Sequence, residues 1–459
     1  MDRVRSVDRL ALYLVVLAAL LIRLAPLLRA GSSWAMSNAA DATGYLQLAD
    51  GLWSGCGFAR YVNGVCSAPE IFRTPGYPAF LALMQGIRTA IAVQAIAGAA
   101  LCLILGLFVS RRWGSRAGLI AASLLVADVP SIVYSAQLMT EALCQFFIAL
   151  AILALLSVIE REGKSLRSTI LTLAGGGLFA LAVLIRPIAE FVLPLLPVAI
   201  VLGIPNASWN RRITLAGLAF AIPAAVVAGW TLRNARVAGI PEFSVVGDVN
   251  LYLYRIPGVL WWTQGGSYDA IQAELWNAPE LRGKLKVSGP AQWPSRATFA
   301  EMRRKSVRII LEHPFAFAAM MAKSFAYLLV APTRTALALV IASSGGSQNP
   351  TTAAVTRITK SVAELITSPL LTALIVFQLA LTAALWFGIA RAVLRLRNWR
   401  GALWIAFPLA TGFLLVLLAS GAESESRMRV PALPLLAMVA AVGLSGADAD
   451  YRALPQPIA

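Results

Sequence analysis

The sequence predicts an all-α polytopic membrane protein, and three observations carry that expectation. Hydrophobic residues make up 59% of the chain and charged residues only 13%, about half the charged share of an ordinary globular domain. Mean hydropathy is +0.74. The apolar residues fall in runs of about 20, the length that crosses a bilayer core. One integrated helical bundle follows more naturally than a set of soluble domains.

The chain opens with Arg3, Arg5 and Arg9 ahead of an apolar run from Leu10 to Leu28. That run is long enough to stay as an anchor rather than be cleaved as a signal peptide, and its basic flank predicts a cytoplasmic start. A polar insert then occupies residues 30–80, on the outer side. Further spans are expected at about 88–110, 117–134, 138–159, 169–186, 188–204 and 212–231. Their connectors alternate. Arg111-Arg112, the Arg161/Lys164/Arg167 cluster and Arg211-Arg212 are basic and read as cytoplasmic, whereas Asp128-Val129-Pro130 and Arg186-Pro187 are short and read as external.

From Arg233 to His313 the chain is mixed and polar, with Trp261-Trp262, Trp276 and Trp293, and reads as a second external region. Phe315–Val330 is apolar but short and carries Lys323, so a helix along the interface is expected there. Spans near 368–390, 402–420 and 430–446 close the bundle, for roughly ten crossings with both termini inside. The expected modules are residues 1–231 as a seven-helix catalytic unit, 232–367 as an external loop with interfacial helices, and 368–459 as the C-terminal helices.

The chain carries 39 Lys+Arg against 22 Asp+Glu, a net charge of +17. These cations are scattered between apolar runs and form no basic stripe, which excludes a nucleic-acid partner. Anionic lipid headgroups and phosphate-bearing substrates fit instead. Of four cysteines, Cys102 and Cys144 sit in apolar runs as small core residues. Cys56 and Cys66 lie in the first insert, where an oxidising compartment would let them bridge and a reducing one would leave them as thiols. A single histidine, His313, leaves neither a His-based metal box nor a Ser-His-Asp triad.

The first insert is the stretch the rest is arranged to hold. It offers Asp41, Asp50 and Arg73, with Tyr45, Leu48, Leu52 and Trp53 spaced to share one face of a surface helix. Asp41 stands where it could equally cap that helix. On the same outer leaflet the topology collects Glu141, Arg186, Arg233-Asn234 and the run Glu423/Glu425/Arg427/Arg429. Each has a plain alternative: a first-turn carboxylate for Glu141, interface anchors for Arg186 and Arg233, a surface network for the last four. Arg23 would snorkel or reach into the site. Jointly, two carboxylates and several guanidiniums are the equipment for moving a group off a phosphate, with a carboxylate as general base and arginines stabilising the departing charge. Gly175-Gly176-Gly177 lies within an apolar run and reads as helix packing, not a nucleotide cradle.

In order along the chain, an external Asp before Tyr-x-x-x-Ala, Arg-x-Pro-Gly-Tyr-Pro, Met-Thr-Glu-Ala, Arg-Pro, Arg-Asn and a closing Arg-Met-Arg-Val-Pro-Ala-Leu-Pro resemble membrane glycosyltransferases of the GT-C class. The closest likeness is to protein O-mannosyltransferase-like and lipid A aminoarabinose transferase-like families. The resemblance implies a GT-C bundle of roughly 10–12 transmembrane helices with juxtamembrane helices in the first external loop. It implies a polyprenyl-phosphate-sugar donor and transfer, with inversion, to a lipid, glycan or protein acceptor at the outer face of a bacterial inner membrane. By that likeness Asp41 is the catalytic base or organiser of the acceptor nucleophile and Glu141 the second acid, with a divalent metal ion left open as an aid. Arg73, Tyr77, Arg186, Arg427 and Arg429 are implied as substrate contacts. The chain departs from some relatives in having Ala42, not a second acid, after Asp41. The alternative from another class is a transporter or flippase of a lipid-linked or small anionic solute; a non-catalytic envelope scaffold is a third.

Overall fold

The computed structural model describes residues 10–25, 39–282, 284–285, 292–331, 369–396 and 399–447. The basic N-terminal residues 1–9, the stretch 332–368 and Arg397 lie outside the described residues. The helices are α1 (Leu10–Ala25), α2 (Ala39–Trp53), α3 (Gly76–Met84), α4 (Ile87–Trp113), α5 (Ser115–Ala127), α6 (Val129–Ser135), α7 (Glu141–Glu160), α8 (Leu166–Ile185), α9 (Leu195–Gly203) and α10 (Trp209–Ala238). The second half adds α11 (Val246–Asn250), α12 (Ile256–Gln264), α13 (Tyr268–Trp276), α14 (Arg296–Glu312), α15 (Pro314–Val330), α16 (Pro369–Leu394), α17 (Trp399–Ala419) and α18 (Leu433–Ser445). Among the described residues, the sheet is one antiparallel hairpin, β1 (Ala59–Val62) with β2 (Val65–Pro69).

Among the described residues, seven helices are long and apolar enough to cross a membrane, or up to nine if each of two bent pairs counts as one span. The chain is a multi-pass membrane protein. The expected span at 117–134 is a bent pair, turned by 60° between α5 and α6. The bend falls at Asp128, which accepts the Ser131 N–H at 2.9 Å as the N-cap of α6, with Pro130 in the first turn. The expected span at 188–204 is broken too: a 3₁₀ turn at Pro187–Val192 precedes α9. The last helix of the first module runs to Ala238, past the boundary expected at 231. The apolar stretch Phe315–Val330, expected as an interfacial helix, lies within the helix α15, which is turned by 97° from α14 across His313-Pro314; together the two form one of the bent pairs that could count as a span.

The core centres on α7 and α18. Every residue from Leu433 to Gly443 is buried, so this helix is apolar all round because it faces no solvent. Gly175 reads as expected: a Cβ there would come within 2.9 Å of Leu155 Cδ2 on α7. Arg23 neither snorkels nor reaches a site. It is 1% exposed and donates to the Ala19 carbonyl (3.3 Å) and across the bundle to the Leu125 carbonyl (3.2 Å). A second apolar cluster, built from Ile71, Val245, Tyr252, Leu281, Phe299 and neighbours, lies outside the bundle proper and ties residues 240–302 to the first insert.

The two ends of the bundle differ in character. At one, Arg112 pairs with Glu160 (2.6 Å) and stacks on Trp404 at 3.4 Å, and Arg211 donates to the Gly163 carbonyl (2.8 Å) and to Thr169 (2.7 Å). The basic connectors are thus gathered together. α7 leaves this end and reaches the other after 20 residues, about 30 Å, where its first residue is Glu141.

Candidate active site

At the end of the bundle opposite the basic connectors, a cavity of about 380 Å³ is lined by Asp41, Tyr45, Arg73, Glu141, Arg186, Asn250, Tyr254, Arg255, Glu423, Glu425 and Arg427 among others. Each polar group arrives there for a local reason. Arg186 precedes Pro187, whose ring pushes the preceding residue out of the helical region. Its backbone is extended (φ −142°, ψ 112°), so α8 stops at Ile185. The freed guanidinium donates to Glu141 Oε1 at 2.7 Å and to Thr140 Oγ1 at 3.0 Å. Glu141 occupies the first turn of α7, where the helix dipole favours a carboxylate. The first-turn role and the ion pair coexist in one residue. It is fully buried.

Asp41 lies in the first turn of α2, and its carboxylate faces guanidiniums. Arg73 Nη2 donates to Asp41 Oδ1 at 3.0 Å and Nη1 to the Asp41 carbonyl at 3.1 Å. Arg427 Nη1 lies 3.6 Å from Oδ2. Burial pushes this carboxyl up, but Arg73 and then Arg427 outweigh that and hold it below the ordinary aspartate value. Tyr45, one turn along α2, lies under the Arg73 guanidinium at 4.0 Å, a cation–π contact. Leu52 and Trp53, expected on the same face as Tyr45 and Leu48, turn outward. Leu48 is fully buried and Trp53 63% exposed.

Arg73 is set by residues the sequence reading did not single out. Glu70 is fully buried and pairs with the equally buried Arg60 (Nη2–Oε2 2.8 Å, Nε–Oε2 2.9 Å). Its other oxygen accepts the backbone N–H groups of Phe72 (2.8 Å) and Arg73 (3.2 Å). A carboxylate with both oxygens so engaged fixes the turn that aims Arg73 at Asp41. After that turn, Gly76 packs against α8 so closely that a Cβ would meet the Leu184 carbonyl carbon at 2.7 Å. The first insert is thereby seated against the end of the helix that delivers Arg186.

The other expected groups divide. Tyr77 is fully buried and donates to Gln94 Oε1 at 2.8 Å, outside the cavity lining. Arg429 is also turned away, donating to the Ala331 carbonyl (3.1 Å) and facing Asp128 at 3.8 Å. Arg427 does line the cavity and pairs with Glu425 at 3.2 Å. The expected Glu423/Glu425/Arg427/Arg429 network is therefore split, with Arg429 serving the core. Asp50 lines a separate pocket with Trp53. Arg233 donates to the carbonyls of Glu70 and Phe58 and so staples the insert, whereas Asn234 donates to those of Glu242 and Phe243 and ties the following loop to α10; neither lines the cavity. Cys56 and Cys66 form a disulfide across the hairpin.

Arg255 and Tyr254 enter the cavity without warning from the sequence. They end a π-helical turn at Leu251–Arg255, the kind of irregularity that re-aims side chains. Arg255 Nη2 donates to the Leu418 carbonyl, and its Nε is 4.0 Å from Glu423 Oε1. Burial pushes the Glu423 carboxyl up, only partly opposed by a backbone hydrogen bond and then by Arg255. Among the described residues no three His, Cys, Asp or Glu side chains gather as a cation site. Asp41 and Glu141 both face guanidiniums. The donor set as arranged does not fit a metal ion.

These features define a polytopic membrane protein with the fold of the GT-C class glycosyltransferases. The likeness is to the oligosaccharyltransferase of Archaeoglobus fulgidus in its apo form, with a TM-score of 0.52 and 15% identity over 96% of this chain and 50% of that one. The oligosaccharyltransferase AglB of the same archaeon, in complex with an inhibitory peptide and a dolichol-phosphate, aligns with a TM-score of 0.49 and 14% identity, over 96% of this chain and 50% of that one. The chain spans about half the length of these enzymes. At such identity the likeness is one of fold. No family model matches the sequence, and no curated protein does.

Proposed function

We propose that the protein is an inverting glycosyltransferase that takes a sugar from a polyprenyl-phosphate donor and transfers it to an acceptor hydroxyl. The single observation that carries this reading is the cavity itself. Four carboxylates, Asp41 and Glu141 with Glu423 and Glu425, and the guanidiniums of Arg73, Arg186, Arg255 and Arg427 line one hollow at the end of a membrane bundle. The acceptor oxygen attacks the anomeric carbon from the face opposite the phosphate. The bond from that carbon to the phosphate oxygen breaks, the polyprenyl phosphate departs, and the acceptor proton passes to Asp41. General-base help of this kind is worth roughly 10²–10⁴ in rate.

Asp41 between two guanidiniums is a weak base at rest. The contact from Arg427 is the longer, at 3.6 Å against 3.0 Å for Arg73. Charge growing on the departing phosphate draws Arg427 away and raises the proton affinity of Asp41 in step with bond cleavage. Arg186, held by buried Glu141, supplies a preorganised cation for the same phosphate. Glu141 acts by orienting that guanidinium. The gathering of basic connectors at the opposite end supports a cavity on the outer face, by the positive-inside rule; a bacterial inner membrane is the proposed site of action on the likeness of the sequence motifs alone. A lipid-borne donor reaches such a cavity by lateral diffusion.

The test is incubation of purified protein with defined undecaprenyl-phosphate sugars and envelope extract, followed by mass spectrometry for molecules that gain a hexose or pentose. No transfer from any of them, together with solute flux into reconstituted vesicles, would replace the enzyme with a transporter.

A further inference from the structure

A second cavity, of about 390 Å³, stands back to back with the first. Its lining includes Gly258, Trp261, Trp262, Tyr268, Lys323 and Tyr327. The wall between the two is the segment Gly421–Glu425. Glu423 and Glu425 line the first cavity, whereas Gly421, Ala422 and Ser424 line the second. Gly421–Ser424 is a tight turn closed by the Ser424 N–H donating to the Gly421 carbonyl at 3.1 Å; it turns Glu423 to one side and Ala422 and Ser424 to the other, before the chain extends at Glu425 (φ −123°, ψ 151°). The wall is fastened by the Gly421 N–H donating to Ser424 Oγ at 2.8 Å. On the opposite side, Gly258 brings α12 so close that a Cβ would meet Met320 Sδ at 2.6 Å and Ala422 Cβ at 2.7 Å.

The equipment of this cavity differs in kind from its neighbour. Trp261 and Trp262 stand nearly perpendicular (88°, centroids 6.5 Å apart), which presents ring faces in two directions. Lys323 Nζ lies 5.9 and 5.5 Å from the two ring centroids. No carboxylate pairs with it among the described residues, and no acidic side chain is among the lining residues. Aromatic faces and one ammonium make a binding surface with no group for bond cleavage. A donor phosphate is better served by the several guanidiniums next door. An aromatic belt at a membrane surface also uses tryptophan and lysine, and Trp261 and Trp262 are 41% and 46% exposed; what sets this group apart is that all three side chains also line one hollow of ligand size.

We infer that this second cavity is the acceptor subsite, and that it receives a pyranose bearing an anionic substituent, its ring stacked on Trp261 and Trp262 and its charge on Lys323. The name acceptor rests on the glycosyl-transfer reading; the ligand chemistry does not. A hydroxyl of the bound ring reaches the reaction over the wall at Glu423. Glu423 Oε2 is buried without a hydrogen-bond partner, and its carboxylate folds back over Gly421, where a Cβ would meet Oε2 at 2.4 Å. Arg255, Tyr254, Tyr268 and Arg427 are the other polar groups around that wall.

The test uses the full chain in nanodiscs of neutral lipid, without donor, titrated with methyl β-D-glucuronide, glucose 6-phosphate and methyl β-D-glucoside while tryptophan fluorescence is read. Saturable quenching by the two anionic sugars is expected, roughly tenfold tighter than by the neutral glycoside, since one charge-assisted contact is at stake. The two anionic arms separate a carboxylate from a phosphate as the preferred charge. Lys323→Gln, an exposed position whose loss leaves the bundle intact, should bring the anionic sugars down to the neutral one. Trp262→Leu should weaken all three. Equal binding of charged and neutral sugars, an unchanged Lys323→Gln variant, or displacement by undecaprenyl phosphate would each overturn the inference. Binding without any transfer in the separate assay would leave the subsite standing and remove the enzyme.

Discussion

Substituting Glu70 with glutamine tests whether the aim of Arg73 is set from behind. The Arg60–Glu70 pair has both side chains fully buried and 2.8 Å apart. Glutamine keeps an oxygen for the Phe72 and Arg73 N–H groups but removes the charge, so Arg60 stays buried and cationic without this carboxylate. Breaking a fully buried pair from one side costs about 3–5 kcal/mol, mostly the desolvated charge left behind. Arg60→Met leaves Glu70 charged, though still accepting two backbone N–H groups, and should cost about 2–3 kcal/mol. The double variant Arg60→Met/Glu70→Gln removes both charges and keeps the backbone acceptor. It should cost less than the Glu70→Gln change alone, which corresponds to a coupling of about 2 kcal/mol or more. The assay is thermal unfolding in detergent for the three variants and the parent, with glycosyl transfer measured on the folded fraction. Two losses that simply add would refute the reasoning, and so would full transfer by folded Glu70→Gln alongside a displaced Arg73.

Asp41→Asn should abolish transfer while the protein still expresses and folds, with at most a modest drop in unfolding temperature from the lost ion pairs; retained activity would remove the base assignment. Because Arg73 and Arg427 hold Asp41 below its ordinary value, its ionised form persists into acid. The ion-pair stability it contributes is present above the unfolded-state aspartate value and is lost only as pH falls through the lower folded-state value. Arg73→Met should therefore move the acid limb of the pH–rate profile to higher pH, and an unmoved limb would count against the pairing. Glu141→Gln should lower the transfer rate by roughly 10²–10³, the scale for losing one preorganised donor to a developing charge, because Arg186 loses its anchor. Cys56→Ser opens a loop of sequence separation 10 and should cost about 2–3 kcal/mol in the chain-entropy account, read as a lower unfolding temperature that reducing agent reproduces in the parent.

Much of the bundle was legible because span-length apolar runs and basic connectors are one-dimensional signals. Breaks inside spans were less so: Asp128-Val129-Pro130 reads as a turn, yet nothing local says that the helix bends 60° there and carries on. Asp41, Arg73, Glu141, Arg186 and Arg427 stand out as ionisable residues at the margins of apolar runs. Tyr77 and Arg429 carry the same mark but face inward, since spacing within a motif does not say which side of a 3₁₀ turn or short helix meets the cavity. Glu70, Arg60 and Arg255 carry no such mark. Each sits in a polar stretch where one more charge is unremarkable, and its importance comes from burial that only the tertiary packing creates.

The helix that carries Glu141 has one further consequence. Of its apolar window 72% is buried inside the protein, against 22% for α10. A bilayer thinner or thicker than the protein prefers is accommodated by tilt of the lipid-facing helices, and α7 is largely shielded from that adjustment. The carboxylate at its tip should keep its height as acyl-chain length varies, and the reaction should tolerate membranes of different thickness better than α10's exposure alone would suggest.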